Sequence, residues 1–292
     1  MAAKVWYVRA FDRMETNDYA GAEEACRKSL ELDPSVVEMW EMLGLITWES
    51  DGLKDAENAF QKILDLDGMN SFNWHVLGRI YVETDRPEQA ETAFQESLRL
   101  DENNESALFS YALLLVDREE YFEARKLVVR LLKLDMDHLD GLLLWGICFL
   151  GEGDLHMSEQ IFEKVLERDP NHAKTHLNLA SVYILREQYG KAVTSILRHL
   201  ELDKMSVMGW NNLGVVYYKM GDAVKALNAW QTLLKIDPEN YDGWSNLGNL
   251  FLDEGHLDEA RHSFQKAITI SPELKDAYTG LDEVRRRQVT GE

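Results

Sequence analysis

The chain has 292 residues, 45% of them apolar, with 31 basic against 52 acidic side chains and a formal net charge of −21. That balance argues against phosphate backbones and anionic membranes as partners, since both repel an acidic surface. The most apolar run, 141–150, is too short to cross a bilayer, and the opening MAAKVWYVRAFDRMETNDYAG has no apolar core of a secretory signal.

From Ala3 onward the apolar residues recur with the period of a helix, and the whole pattern recurs every 34 residues. Units start at Ala3, Val37, Ser71, Glu105, Leu139, Ala173, Val207 and Tyr241 and run to 274 without insertion or deletion. Each reads as two amphipathic helices. Position 8 of the unit holds Ala10, Gly44, Gly78, Ala112, Gly146, Ala180, Gly214 and Gly248; position 20 holds Ala22, Ala56, Ala90, Ala124, Ser158, Ala192, Ala226 and Ala260. Small residues belong there because two helices approach closely only where no bulky side chain stands at the crossing. Pro34, Pro170, Pro238 and Pro272 fall at position 32, between units, and Pro87 sits in the first turn of a second helix, where its missing N–H costs nothing.

In chain order, the first unit is the least regular, with Arg9 and Cys26 at positions that hold Leu and an aromatic residue elsewhere. The second and third conform, and Asn70 and Asn104 are placed to cap the helices that follow. The fourth and fifth put Leu108 and Leu142 where Trp recurs, and the sixth puts His176 there. The seventh and eighth conform again, and a further helix is expected from Lys275 to about Arg287, leaving 288–292 as a frayed tail. Cys26 and Cys148, far apart and both on packing faces, read as buried thiols in a reducing, cytoplasmic compartment.

The series Trp210, Leu213, Gly214, Tyr217, Ala226, Trp230, Pro238, repeated at Trp244, Leu247, Gly248, Phe251, Ala260, Phe264 and Pro272, resembles the tetratricopeptide repeat. The resemblance implies an all-α fold, a right-handed superhelical solenoid of antiparallel helix pairs. Its repeats would be 3–36, 37–70, 71–104, 105–138, 139–172, 173–206, 207–240 and 241–274, with 275–292 as capping helix and tail. It also implies that the first helices line a concave groove, with positions 2, 5, 6, 9, 12 and 13 pointing into it.

Projected onto those positions, the first three repeats offer Tyr7, Phe11, Met14, Leu45, Trp48, Phe72, His75, Arg79 and Val82. The fourth and fifth offer Phe109, Leu113, Val116, Leu143, Ile147 and Leu150, an apolar zone of the kind that marks a binding surface, unless a different helix roll buries it. The last three offer Asn178, Asn212 and Asn246 at one position, with Asn211 and Asn249 beside them. An amide pairs with both the N–H and the C=O of an extended peptide, and the spacing resembles the asparagine ladder of O-linked N-acetylglucosamine transferases and importin-type solenoids. Glu15, Glu49, Glu83 and Asp117, with Asp253, form an acidic column that would draw in a cationic segment.

The cationic clamp of chaperone-binding relatives is absent, Arg79 standing alone. His172 and His176 lack a third metal ligand at sensible spacing, and no catalytic constellation or phosphate loop stands out, so no enzyme activity, metal or cofactor is expected. The expected function is a protein-interaction scaffold whose partner is a protein or peptide segment, basic and partly apolar, extended or amphipathic. Two other readings are a homo-oligomer joined through the fourth and fifth repeats, and a regulatory subunit of an enzyme.

Overall fold

Helix starts recur along the chain at the period set by the apolar pattern. A computed structural model describes residues 2–50 and 52–290, and among them seventeen α-helices and no strand occur. They fall into two compact units, 1–152 and 153–292. The first holds α1 (Ala2–Glu15), α2 (Tyr19–Leu32), α3 (Val37–Glu49), α4 (Leu53–Leu66), α5 (Ser71–Glu83), α6 (Pro87–Leu100), α7 (Glu105–Asp117), α8 (Tyr121–Leu134) and α9 (Leu139–Gly151). The second holds α10 (Leu155–Arg168), α11 (Ala173–Leu185), α12 (Tyr189–Leu202), α13 (Val207–Lys219), α14 (Ala223–Ile236), α15 (Tyr241–Asp253), α16 (Leu257–Ile270) and α17 (Lys275–Thr290).

Within each unit every helix packs on the next, so the core is a series of linked clusters. Ala10, Cys26, Met39 and Leu43 make one, Phe60, Ile63, Leu77, Ile80 and Phe94 another. In the second unit Trp230, Leu233, Leu247 and Leu250 make a third, and Phe264, Ala277, Leu281 and Val284 a fourth.

All sixteen small residues at positions 8 and 20 are buried. What position 8 faces differs from the expectation. A Cβ added at Gly44, Gly78, Gly214 or Gly248 would fall under 3.0 Å from the ring of Phe60, Phe94, Trp230 or Phe264, at position 24 of the same hairpin. The glycine is a seat for that ring. Where position 8 is Ala (Ala10, Ala112, Ala180), position 24 holds the smaller Cys26, Val128 and Ile196, all fully buried. Cys26 and Val128, where other repeats carry a ring, thus follow from volume, since a hairpin accommodates a methyl on one helix or a ring on the other.

The recurrent Trp at position 4 fixes the loop before it. The indole N–H of Trp40, Trp74, Trp210 and Trp244 donates to the carbonyl of Pro34, Gly68, Lys204 and Pro238, at 2.8 to 3.0 Å. His176 Nε2 makes the same bond to Pro170 at 2.9 Å, and His172 Nδ1 pairs with Thr175 Oγ1 at 2.8 Å. Leu108 and Leu142 replace the latch with full burial. Helix starts are capped as the sequence indicates: the Phe72 N–H donates to Asn70 and the Ala107 N–H to Asn104, with Pro87 opening α6.

Burial pushes the Cys26 thiol up to about 11 and the Cys148 thiol to about 12, with Glu23 and Glu152 adding to it. Both are thiols, free and buried. The final helix runs further than expected, to Thr290, so 288–290 are helical; residues 291 and 292 lie outside the described residues. It buries Ala277, Leu281 and Val284 against Phe264 and Ala267, and Arg287 Nη1 donates to the Leu252 carbonyl at 2.9 Å.

Candidate peptide-binding faces

In the first unit the candidate residues sit along α1, α3, α5, α7 and α9. Tyr7 and Phe11 are one helical turn apart, with ring centroids 5.0 Å from each other. Met14, Tyr19, Leu45, Ile46, Glu49 and Ser50 line a hollow of about 500 Å³. Glu15, Glu49 and Asp117 are exposed carboxylates.

Glu83 is less free than its place in the acidic column implies. It accepts the Trp48 indole N–H at 2.7 Å, and the Arg79 guanidinium lies 3.7 Å from it and 4.5 Å over the Trp48 ring. These three residues form one cation–π and ion-pair cluster across α3 and α5.

Beside it, His75, Arg79, Phe109, Ser110, Leu113 and His138 line a second hollow of about 410 Å³. His75 is buried rather than presented, with Nε2 3.1 Å from Ser110 Oγ; burial, helped by Arg79, holds its pKa down to about 4. The imidazole is therefore neutral at pH 7. Phe109 stacks near His138 at 5.7 Å.

The apolar zone expected on α7 and α9 is divided. Leu113 is 42% exposed and Phe109, Val116, Ile147 and Leu150 are half-buried, but Leu143 is only 7% exposed and belongs to the core. Leu143 is corrected accordingly: the roll of α9 turns it inward. Phe72 remains exposed at the start of α5.

In the second unit the five asparagines lie on α11, α13 and α15. Asn178 Nδ2 donates to the Lys174 carbonyl of its own helix at 2.9 Å. Asn246 Nδ2 donates to Asn211 Oδ1 at 3.0 Å, and Asn211 Oδ1 also accepts the Trp230 indole N–H at 3.2 Å. Asn211 thus has a packing duty. Repeat position 24 carries Trp here, where its neighbours carry Phe or Ile, and the buried indole requires an acceptor. Asn212 is half-buried and Asn249 exposed, and neither makes a side-chain hydrogen bond among the described residues. The acidic column is partly occupied here too, since the Tyr218 hydroxyl donates to Asp253 and the bond raises the Tyr218 pKa to about 12.

The sequence missed both pairings, although the signal was available in the register. Trp48 and Glu83, Tyr218 and Asp253 stand 35 residues apart, at positions 12 and 13 of successive units. Among the described residues no helix is long and apolar enough to cross a membrane, and no group of three His, Cys, Asp or Glu is placed to hold a metal.

Four family models match. Three describe the tetratricopeptide repeat, over residues 3–36, 161–194 and 211–274, and one the tetratricopeptide-repeat domain of cytochrome c-type biogenesis protein H, over 64–172. No curated protein matches the sequence. Among solved structures, a chain of the APC/C hetero-tetramer Cut9-Hcn1 aligns with 91% of this chain at 16% identity and a TM-score of 0.70. This chain spans about half, 52%, of that one. A tetratricopeptide repeat protein from Parabacteroides merdae aligns with 97% at 16% identity and a TM-score of 0.59, 99% of its own length being covered. YrrB, described as a tetratricopeptide-repeat protein with an unusual peptide-binding site, aligns with 64% of this chain and 97% of its own at 22% identity and a TM-score of 0.54. At these identities the likeness concerns the fold.

Proposed function

We propose that this chain, which carries tetratricopeptide repeats, is a non-catalytic scaffold holding an extended segment of a partner protein along its first helices. The repeats are taken as eight, from 3 to 274, followed by a capping helix, and the site of action as the cytoplasm. The observation that carries the reading is the row of polar amides on α11, α13 and α15. Asn212 and Asn249 have unengaged amides, while Asn178 and Asn246 are held by their nitrogens and their oxygens have no donor among the described residues. Such a row suits the N–H and C=O groups of a peptide backbone, which every sequence shares. A separate candidate face lies in the first unit, where the hollow lined by Met14, Leu45, Ile46 and Glu49 suits a segment with aliphatic and basic residues. YrrB offers an analogy, being a repeat protein with a peptide-binding site.

The test is the affinity of peptides recovered by affinity capture for the chain and for an Asn178→Ala, Asn212→Ala, Asn249→Ala variant. Each lost hydrogen bond is worth roughly 0.5–1.5 kcal/mol, so binding should weaken by about 1.5–4.5 kcal/mol if the effects add, with helicity retained. Asn211 and Asn246 are left alone because they support Trp230. Unchanged affinity with intact helicity would remove the amide row from the site.

A further inference from the structure

The other side of the helix pairs, formed by the second helices, changes character along the chain. At most seams a polar strap ties a second helix to the following hairpin. Glu57 of α4 takes the Arg86 guanidinium in two bonds of 2.9 and 2.6 Å, and Gln61 donates to the Tyr81 hydroxyl at 3.2 Å. Glu91 of α6 takes Arg118 at 2.7 Å and the Tyr111 hydroxyl at 2.8 Å. Arg125 of α8 takes Glu152 at 3.0 Å, the same strap with its charges exchanged. In the second unit, Glu159 of α10 takes Arg186, with Lys191 3.8 Å away.

The register then breaks the series. Val193 of α12 and Leu227 of α14 occupy the position of Glu57, Glu91 and Glu159, and Met220 occupies that of Arg118 and Arg186. Along this strapless stretch Leu197 is 42%, Met220 50% and Val224 70% exposed. Between α14 and α16 a hollow of about 730 Å³ opens over Trp244, Leu247 and Phe251, walled by Leu234 and His262. A space of that size takes one or two large apolar side chains.

The local charge is also reversed. Residues 189–236 hold six Lys or Arg against three Asp or Glu, a net +3 inside a chain of −21. Helix α14 has Lys225 and Lys235 and no acidic residue. Lys191, Lys225 and Lys235 are exposed around the apolar strip. Asp258 and Glu259 of α16 bound the hollow on its far side and confine a negatively charged guest to the α12–α14 side.

We infer that the second-helix face of α12 and α14, with the hollow beside α14, docks an acidic amphipathic helix of a partner protein. Its leucine or aromatic side chains cover Leu197, Met220 and Val224 and enter the hollow, and its carboxylates meet Lys191, Lys225 and Lys235. This surface uses α12, α14 and α16 together with Trp244, Leu247 and Phe251 of α15, none of them in the amide row, so it stands or falls independently of the peptide site.

The probe is a fluorescein-labelled amphipathic peptide of about 20 residues, with Leu at i, i+3, i+4 and i+7 and Glu on the remaining face, beside a twin carrying Lys for Glu. Anisotropy titrations compare the full chain with two variants that rebuild a strap without changing net charge, Val193→Glu with Met220→Arg and Leu227→Glu with His256→Arg. The acidic peptide should bind the native chain and lose at least about tenfold in affinity for each strapped variant, equivalent to roughly 1.4 kcal/mol. Helicity and melting temperature should hold, and the Lys twin should be indifferent to the straps. Should a strap impair folding, Lys191→Gln with Lys225→Gln carries the test, with the same expected loss. Absence of binding to the native chain, or equal binding to all variants, overturns the inference. So does light scattering that shows a strap-sensitive dimer with no peptide bound, which assigns the face to a second copy.

Discussion

At seven occurrences of register position 15, where the first helix of a pair gives way to the second, the backbone turns through the left-handed region. Gly153, Gly221 and Gly255 do so at φ of 76° to 81°, and Asn17, Asp85, Glu119 and Glu187 at 56° to 60°. Side chains beyond Gly adopt that region at a cost of roughly 1–2 kcal/mol. Nothing lies within 4 Å of a Cβ added to Gly221, so the penalty for Gly221→Ala is conformational alone. It should destabilise the chain by about 1–2 kcal/mol. Glu187→Gly should act in the other sense: it relieves the same strain, partly offset by the roughly 0.5–1 kcal/mol of freedom that Gly loses on folding. Urea denaturation of the two variants checks this, and shifts of the same sign would reject the account.

Hairpins are decided by volume, and the seat of position 24 on position 8 gives the sharpest test. Gly214→Ala forces the Trp230 ring to move and should cost about 1–3 kcal/mol. In a Trp230→Val background the same substitution should be close to neutral, because Ala112 already stands in register with buried Val128. Thermal melts of the four chains of this cycle give the coupling, and additive effects would mean that the two residues do not touch. This level was also the most legible in the sequence. A 34-residue period, small residues at positions 8 and 20 and Pro between pairs place every helix, since each follows from local pattern. His176 was rightly grouped with the tryptophans, for it uses the same loop carbonyl. Bonds between neighbouring pairs were not legible. That Asn211 serves Trp230, and that Glu83 is taken by Trp48, depends on which of several adjacent donors reaches an acceptor first. The left-handed turn at Glu119 and Glu187 was hidden for another reason: nothing in a glutamate announces positive φ.

Over the whole molecule, the net charge of −21 makes any encounter with a basic segment dependent on salt. Of the acidic column, Glu15, Glu49 and Asp117 are the exposed carboxylates in the first unit without a donor of the Trp48 kind, so they should dominate steering, and the first two stand in neighbouring repeats. Glu15→Lys with Glu49→Lys should slow association of a basic, leucine-containing peptide by about three- to tenfold at low ionic strength, with a smaller change in dissociation. The difference should fade by 0.5 M salt, about where screening shortens to a few ångströms. Stopped-flow traces across a salt series would show it, and an on-rate blind to both salt and substitution would leave the column as plain surface. The side-chain bonds described above join residues no more than 35 apart, Trp48 to Glu83 and Asn211 to Asn246 among them. A chain wired over such short spans closes small loops at every step. During synthesis, each helix pair can therefore find its packing partner as soon as the next pair leaves the ribosome, well before the last residue is added.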